Sequence, residues 1–427
     1  MFNQNGLSLE QAPPFSVVLR FFLSGAIFGV LAGIFILIFG IDIYDASNPK
    51  ALILTHTLTL GVMLSFMFGA LFQMLPVIGG VKLDEPIKKA NMVQYPFIIG
   101  TLSLLFGFYD GYNHLFLIVA ILLLGGAISY GVYSMLSRLI KIENHSASSK
   151  GMSVSLASLG MLVVMAVLMI FELLGVGSLD YTILKNTHFS FGLFGWISLL
   201  IISISFQVIE MFYVTPPYPK LVSRYLPFVI FGMVVSYALF EFLGIESWSI
   251  LSISISIILI LYATLTLYRL TQRKRPLADA TVWFWRVGMS SLIISMSSFL
   301  LTYIYDSGIF YTISYILFTS FAISVVFAMF YKIVPFLTWF HLNSQGYLMA
   351  PMMYEIIHPK SAMKHLYIHL ASLVIFLLSV WVESFIYLAG LMFATSFALV
   401  VYHIVHAHKI YKHTQETQEK FDMGMGK

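Results

Sequence analysis

Hydrophobic residues occur along this chain in long runs, which short polar segments separate. A run of about 20 apolar residues is the length that an α-helix needs to cross the hydrocarbon core of a bilayer. Twelve such runs predict twelve transmembrane helices, numbered 1 to 12 along the chain. They lie at about 16–43, 51–79, 92–110, 113–140, 152–176, 182–214, 223–244, 248–271, 281–306, 309–340, 364–383 and 386–411.

One pattern of small, polar and apolar positions recurs in predicted helices 2, 6 and 10. It reads GALFQMLP at 69–76, SISFQVIE at 203–210 and AMFYKIVP at 328–335. In each copy a small residue is followed four positions later by Gln73, Gln207 or Lys332, and these polar positions are 134 and 125 residues apart. Such even spacing predicts internal repeats. The repeat units lie at about 16–140, 152–271 and 281–411, and a cytoplasmic tail follows at 412–427.

Four helices per unit mean that each unit begins and ends on the same side of the membrane. The units are therefore expected to be parallel repeats about an axis along the membrane normal. We predict an all-α polytopic membrane protein with a single integral membrane domain. Its twelve transmembrane helices would form three pseudo-threefold four-helix arcs, with helices 2, 6 and 10 at the centre.

The basic residues predict the orientation of the chain. Of the 23 Lys and Arg residues, 20 fall on one side of the predicted bundle, and only Lys50, Lys185 and Lys332 do not. Because Lys and Arg concentrate on the cytoplasmic side, both termini are predicted to be cytoplasmic and the protein to lie in the inner (cytoplasmic) membrane. The net charge of +4 then reflects which loops face the cytoplasm. The expected partner is therefore a lipid bilayer, and no nucleic-acid partner is expected.

Composition narrows the possible chemistry further. The chain is 59% hydrophobic and 10% charged, and it contains no cysteine. Disulfides, thiolate metal sites and iron–sulfur clusters are therefore excluded. The polar opening segment, MFNQNGLSLEQAPPF, has no basic region typical of a signal peptide.

The repeat predicts a central polar layer, since Gln73, Gln207 and Lys332 should occupy equivalent places. Glu210 replaces the proline that ends the other two copies, and an ion pair between Glu210 and Lys332 would offset the cost of a charge at membrane depth. Two interpretations stay open. The layer serves a function in the membrane, or these side chains only bond one another and hold the three units together.

Two histidines stand apart from the other ten. His56 and His188 lie 17 and 19 residues before the polar positions of helices 2 and 6, roughly 25–28 Å along each helix. His188 shares a helix face with Gly192 and Gly195, which predicts a groove for a flat group. Both histidines are candidate ligands of a metal or of haem iron, and the alternative is a hydrogen-bonded structural role. Nine others lie at or near the predicted cytoplasmic side, and most of them are predicted to be interfacial: His145, His341, His358, His365, His369, His403, His406, His408 and His413.

Helix 2 also carries a family resemblance. Its sequence, THTLTLGVMLSFMFGALFQMLP, resembles the corresponding helix of nitric oxide reductase-like members of the haem–copper oxidase superfamily, in subunit I. That family has twelve helices in three four-helix arcs. The resemblance implies haem, with His56 at the position of the haem ligand. It also implies that a second group approaches the haem from another helix. That group is His188, whose helix holds a metal ligand in the family, or Tyr315.

The chain departs from that family in two helices. Helix 10 contains no His-x-His motif and has Tyr311 and Tyr315 near the expected depth, and helix 7 lacks the paired histidines. A complete dinuclear oxidase centre cannot be built, so copper is not expected. The chain is more similar in kind to the NnrS family, twelve-helix haem proteins associated with nitric oxide metabolism, although the His-x-His-Glu-Met opening of their helix 2 is absent.

Three functions remain open. The first is a haem-binding protein in redox or nitric oxide-linked respiratory metabolism, and the sequence does not decide whether it is an enzyme. The second is a transporter or channel that uses the central polar layer. The third is an accessory or assembly subunit, whose partners would be respiratory-chain membrane proteins.

Overall fold

A computed structural model describes residues 13–420, except 78, 82, 276 and 306. Within those residues the chain is helical and contains no strand. Most of the polar opening segment and the end of the predicted tail, at 421–427, lie outside the described residues. The prediction of an all-α fold is confirmed.

The described residues contain twelve helices that are long and apolar enough to cross a membrane, and these match the predicted helices in order. They are α1 (Phe15–Tyr44), α2 (Pro49–Val77), α3 (Pro86–Tyr109), α4 (His114–Leu139), α5 (Ala147–Leu173), α6 (Tyr181–Tyr213), α7 (Lys220–Phe242), α8 (Trp248–Thr271), α9 (Ala280–Leu301), α10 (Gly308–Ser344), α11 (Pro359–Ser379) and α12 (Phe385–Thr417). We call the face at which α1 begins the inner face, because the charge bias predicts that it is cytoplasmic.

Several helices extend beyond their apolar runs. Helix α3 begins at Pro86 and α11 at Pro359, each with proline in the first turn, where its missing N–H costs nothing. Helix α12 continues to Thr417, so the first six residues of the predicted tail are helical. Hydrophobicity marks the part of a helix that crosses the membrane, whereas the backbone hydrogen bonds continue into the polar flanks.

The three helices that share the repeat pattern are also the most buried. In the most apolar stretch of α2, α6 and α10, 83%, 78% and 78% of the residues are buried, and no other membrane-spanning helix of the described residues exceeds 56%. These three helices therefore occupy the interior, and the outer helices cover them. The grouping into three pseudo-threefold arcs stays a prediction.

Consecutive helices pack against each other around this interior, and α12 packs against α1. Glycines make that last contact close. A Cβ atom at Gly33 would lie 2.6 Å from the backbone nitrogen of Ala394, and one at Gly390 would lie 3.2 Å from the carbonyl oxygen of Gly33. Small residues let membrane helices approach in this way when no hydrophobic force drives them together.

Three helices contain a segment of π-helix, which has a wider turn than the α-helix. The segments are Thr57–Leu64 in α2, Ile121–Gly125 in α4 and Phe191–Ser198 in α6. The π-helix is rare in proteins, and where it does occur it is often at a functional site. Those of α2 and α6 begin one and three residues after His56 and His188.

Candidate functional site

His56 and His188 lie beside each other near the ends of α2 and α6 that face away from the inner face. Their ring centres are 6.4 Å apart and the ring planes differ by 25°. Phe108 of α3 packs against His56 at 5.1 Å, and both histidines are half-buried. The two histidines that the repeat singled out thus come together from different helices, 132 residues apart in the chain.

A backbone hydrogen bond determines the tautomer of His56. Its Nδ1 lies 2.9 Å from the carbonyl oxygen of Leu52, one helical turn earlier. A carbonyl oxygen only accepts, so Nδ1 carries the hydrogen and donates it. The lone pair of the neutral ring is then on Nε2, which is the arrangement of a metal-ligating histidine whose other nitrogen is held by a backbone carbonyl.

The separation of the rings suits a shared metal ion. Metal–imidazole bonds are about 2 Å long and the ring centre lies roughly 1 Å beyond the bonded nitrogen, so two opposed ligands place their ring centres roughly 6 Å apart. A direct hydrogen bond of about 2.9 Å between opposed rings would place them roughly 5 Å apart. Among the hydrogen bonds of the described residues, none joins His56 to His188. The ring-centre spacing of 6.4 Å is long enough for an ion between two opposed rings.

The predicted groove beside His188 is wrong. A Cβ atom at Gly195 would lie 2.9 Å from the Cβ of Ser158, and one at Gly192 would lie 3.4 Å from the side chain of Leu162. Both neighbours belong to α5. These glycines therefore allow α5 to pack closely against α6, so this face of α6 is covered and a flat ligand would have to approach His188 from another side.

Tyr315 lies next to α2 without touching the pair of histidines. Its hydroxyl oxygen is 3.2 Å from that of Thr55, which directly precedes His56. It also lines a cavity of about 50 Å³ between α1, α2, α10, α11 and α12. The structure thus places Tyr315 one residue away from the histidine site, where it positions α2.

Lys332 does not belong to a central layer, and the predicted ion pair with Glu210 is wrong. The Nζ of Lys332 lies 2.7 Å from Oδ2 of Asp279, the residue that caps α9 at the inner face, and its ammonium lies 5.4 Å from the ring centre of Tyr213. Glu210 is exposed. The long stem of lysine lets the ammonium reach the membrane surface from a buried position on the helix.

The environment of Asp279 favours its charged form. Burial alone would raise the pKa of this carboxyl group. The Lys332 ammonium and the hydrogen bonds from Thr281 and the Val282 backbone together lower it by more than burial raises it. The pKa of Asp279 is therefore below its ordinary value. The pair ties α9 to α10 at the inner face.

The two glutamines of the predicted layer are separate from this ion pair. Gln73 is 5% exposed, and its Oε1 has no hydrogen-bond partner among the described residues. Gln207 is half-buried. No hydrogen bond of the described residues connects either glutamine with Lys332. The repeat therefore marks equivalent positions on three helices without assembling their side chains into one network.

Three histidines that the sequence assigned to the interface are buried instead. His365, His369 and His403 are 0%, 6% and 3% exposed, and each donates to or accepts from a side chain of a neighbouring helix. For His365 the error came from the start of α11. The predicted helix began at 364, which placed His365 in its first turn, whereas α11 begins at Pro359.

Comparison with known proteins does not narrow the assignment: no protein-family model matches this chain, and no curated protein matches it either. The candidate site therefore has to be judged on its geometry.

Proposed function

We propose that this protein is a membrane-embedded haem protein in which His56 and His188 would hold the haem iron. One observation above all supports this. Two half-buried imidazoles, on two of the three helices that share the repeat pattern, lie with their ring centres 6.4 Å apart. Iron–porphyrin takes neutral imidazole readily as an axial ligand, and the absence of cysteine leaves histidine as the strongest ligand type in the chain.

The residues around the pair supply what a haem ligand needs. The Leu52 carbonyl holds His56 in the tautomer with a free Nε2. Phe108 contacts the His56 ring, so one side of the site is apolar and poorly hydrated. A bound haem would supply reversible one-electron chemistry. Redox or nitric oxide-linked respiratory metabolism is the context that the helix 2 resemblance implies for it.

The test is an optical spectrum of the full-length protein purified from cells supplied with haem. We expect a Soret band with the visible bands of a low-spin, two-histidine haem. His56→Ala and His188→Ala should each remove most of the bound haem. His408→Ala is the matched control, because His408 is exposed on α12 and should leave the spectrum unchanged. A colourless wild-type protein under these conditions would contradict the proposal.

The polar-layer transporter has less support. Lys332 is bound to Asp279 at the inner face and Glu210 is exposed, so two of the four proposed path residues are outside the interior. No specific contact favours an accessory subunit over the haem protein.

A further inference from the structure

Helix α11 has a polar stripe along its whole length. The stripe consists of Ser361, His365, His369, Ser372 and Ser379, at intervals of four, four, three and seven residues, which is the spacing of one helix face. From first to last it rises by 18 residue positions, roughly 27 Å, close to the hydrocarbon thickness of a bilayer. Four of the five side chains are buried. Polar side chains at such depth are costly and are functional candidates.

The inner half of the α11 stripe is hydrogen-bonded to α10 and α12. Ser361 lies 3.1 Å from Nε2 of His403. Nδ1 of His365 lies 2.8 Å from the hydroxyl oxygen of Tyr331, and its Nε2 lies 2.6 Å from that of Ser396. Both nitrogens of His365 therefore have a hydroxyl partner, one on each neighbouring helix.

The stripe continues toward the other face through His369 and Ser379. Nε2 of His369 lies 2.8 Å from the hydroxyl oxygen of Ser324 on α10. Ser379 lies 2.7 Å from the hydroxyl oxygen of Tyr44, at the end of α1. Each stripe residue named so far can both donate and accept a hydrogen bond.

One interruption in the stripe coincides with a cavity. Phe376 stands between Ser372 and Ser379, and the cavity of about 50 Å³ lies beside it. A water molecule needs roughly 10–15 Å³ measured in this way, with two to four polar partners. The lining is mainly aliphatic, but it also contains five polar side chains: Tyr44, Tyr315, Thr319, Ser320 and Ser372, next to the His369 ring. The cavity has the volume of a few water molecules, and most of its exposed lining is apolar.

Two phenylalanine rings pack against the two histidines of the stripe. The ring of Phe327 lies 4.5 Å from His365 and 5.3 Å from His369, and the ring of Phe284 lies 5.5 and 5.7 Å from them. Such packing around both imidazoles leaves no room for a hydrated ion. A proton needs no such room, because it moves along hydrogen bonds.

We propose that the α11 stripe is a proton-transfer path between the two faces of the protein. At His365, a proton binds one ring nitrogen and the proton on the other nitrogen leaves to the next hydroxyl group. One N–H bond forms and one breaks, the ring returns to the neutral state in the opposite tautomer, and a ring flip or the reverse transfer resets it. Among the hydrogen bonds of the described residues, none joins His365 to Ser361 or to His369, so there the proton passes on as the hydroxyl groups and rings turn. Water that enters the cavity carries it past Phe376. This inference is independent of haem binding.

The experiment uses liposomes that contain the full-length protein and a pH-sensitive dye. A potassium diffusion potential set by valinomycin drives protons inward, and internal acidification is measured. We expect wild-type vesicles to acidify at least tenfold faster than protein-free vesicles. His365→Phe and His369→Phe should reduce the rate to near the protein-free level, and Tyr331→Phe, which removes a single oxygen atom, should reduce it several-fold. His408→Phe, at an exposed position on α12, should match the wild type.

Two results would overturn the proposal. The first is a wild-type rate equal to that of protein-free vesicles. The second is a wild-type rate retained by folded His365→Phe, His369→Phe and Tyr331→Phe, because the hydrogen bonds would then only hold α10, α11 and α12 together. Thermal unfolding of each variant in detergent identifies the folded ones, and Tyr331→Phe keeps the ring and hence the packing. Haem content does not enter the readout, so failure here is distinguishable from failure of the haem proposal.

Discussion

Lys332 shows that the membrane depth of a charged group can differ from the depth of its backbone when the side chain is long. Its sequence position is well inside an apolar helix, yet its ammonium lies 2.7 Å from Asp279 at the inner face. Asp279 is 53 residues away in the chain and precedes α9, so no local pattern links the two residues. A charge in an apolar run therefore has to be placed by its partner as well as by its backbone position.

The ion pair predicts a pH dependence of stability. The folded-state pKa of Asp279 is depressed, so its stabilising contribution is complete above the unfolded-state pKa of about 3.9 and is lost as the pH falls through the lower folded-state value. Because Asp279 is 46% exposed, we expect a contribution of about 1 kcal/mol or less. At pH values below about 4, the unfolding temperature of the detergent-solubilised wild type should decrease.

Asp279→Asn tests this assignment. The variant should unfold at a lower temperature than the wild type at pH 6, and the difference should shrink as the pH falls below 4. Glu85→Gln is the control, because Glu85 pairs with Lys88 in an exposed position at the same face. Equal unfolding temperatures of wild type and Asp279→Asn at pH 6 would show that the pair contributes nothing to stability.

Histidines illustrate what the sequence could predict about the site. His56 and His188 could be selected because they precede matching positions of a repeat, and the structure brings them to 6.4 Å. His365 was missed because the first turns of α11 contain Lys360 and Lys364, which hid the true start of the helix. The spacing of polar residues along α11 was nevertheless readable, and it would have indicated a buried face.

At the scale of helices, the contact between α1 and α12 depends on glycine. Gly33→Ala would place a Cβ atom 2.6 Å from the backbone nitrogen of Ala394, which cannot move like the end of a flexible side chain. Overpacking of this kind typically costs about 1–3 kcal/mol. Gly126→Ala is the matched control, since nothing lies within 4 Å of its Cβ position and alanine favours the helix there.

Thermal unfolding of the two variants measures the difference. Gly33→Ala should lower the unfolding temperature, whereas Gly126→Ala should leave it unchanged or raise it slightly. Equal unfolding temperatures of the two variants would show that Gly33 does not stabilise the protein by letting α1 and α12 approach closely.

The π segments mark the limit of prediction for individual helices. Apolar runs located all twelve membrane-spanning helices of the described residues, because length and hydrophobicity are local properties. The wider turns at Thr57–Leu64 and Phe191–Ser198 could not be predicted, because the amino acids there have no spacing that distinguishes them from an α-helix. The relative rotation of His56 and His188 therefore could not be derived from the sequence.

For the whole molecule, an even number of helices puts both ends of the described chain on one side. The charge bias predicts that this side is cytoplasmic. The chain has no cysteine, so single cysteines introduced into loops report their side without a background signal. Val176→Cys, between α5 and α6, should react with a membrane-impermeant maleimide added to intact cells stripped of their wall.

Asn144→Cys is the matched position on the other side. It lies in the exposed loop between α4 and α5 and should react only after the membrane is opened. The reverse pattern would place the basic loops outside and would contradict the predicted orientation. In that case the fold would stand, because the helices are defined by their hydrogen bonds.

The polar stripe of α11 also has a consequence for biogenesis. A translocon releases a nascent segment into lipid according to its hydrophobicity, and two histidines near the middle of a helix oppose that release. The hydroxyl group of Tyr331 is already in the membrane when α11 emerges from the ribosome, but Ser396 and His403 are not yet synthesised. We therefore expect helix α11 to enter the bilayer together with α12, as a hairpin.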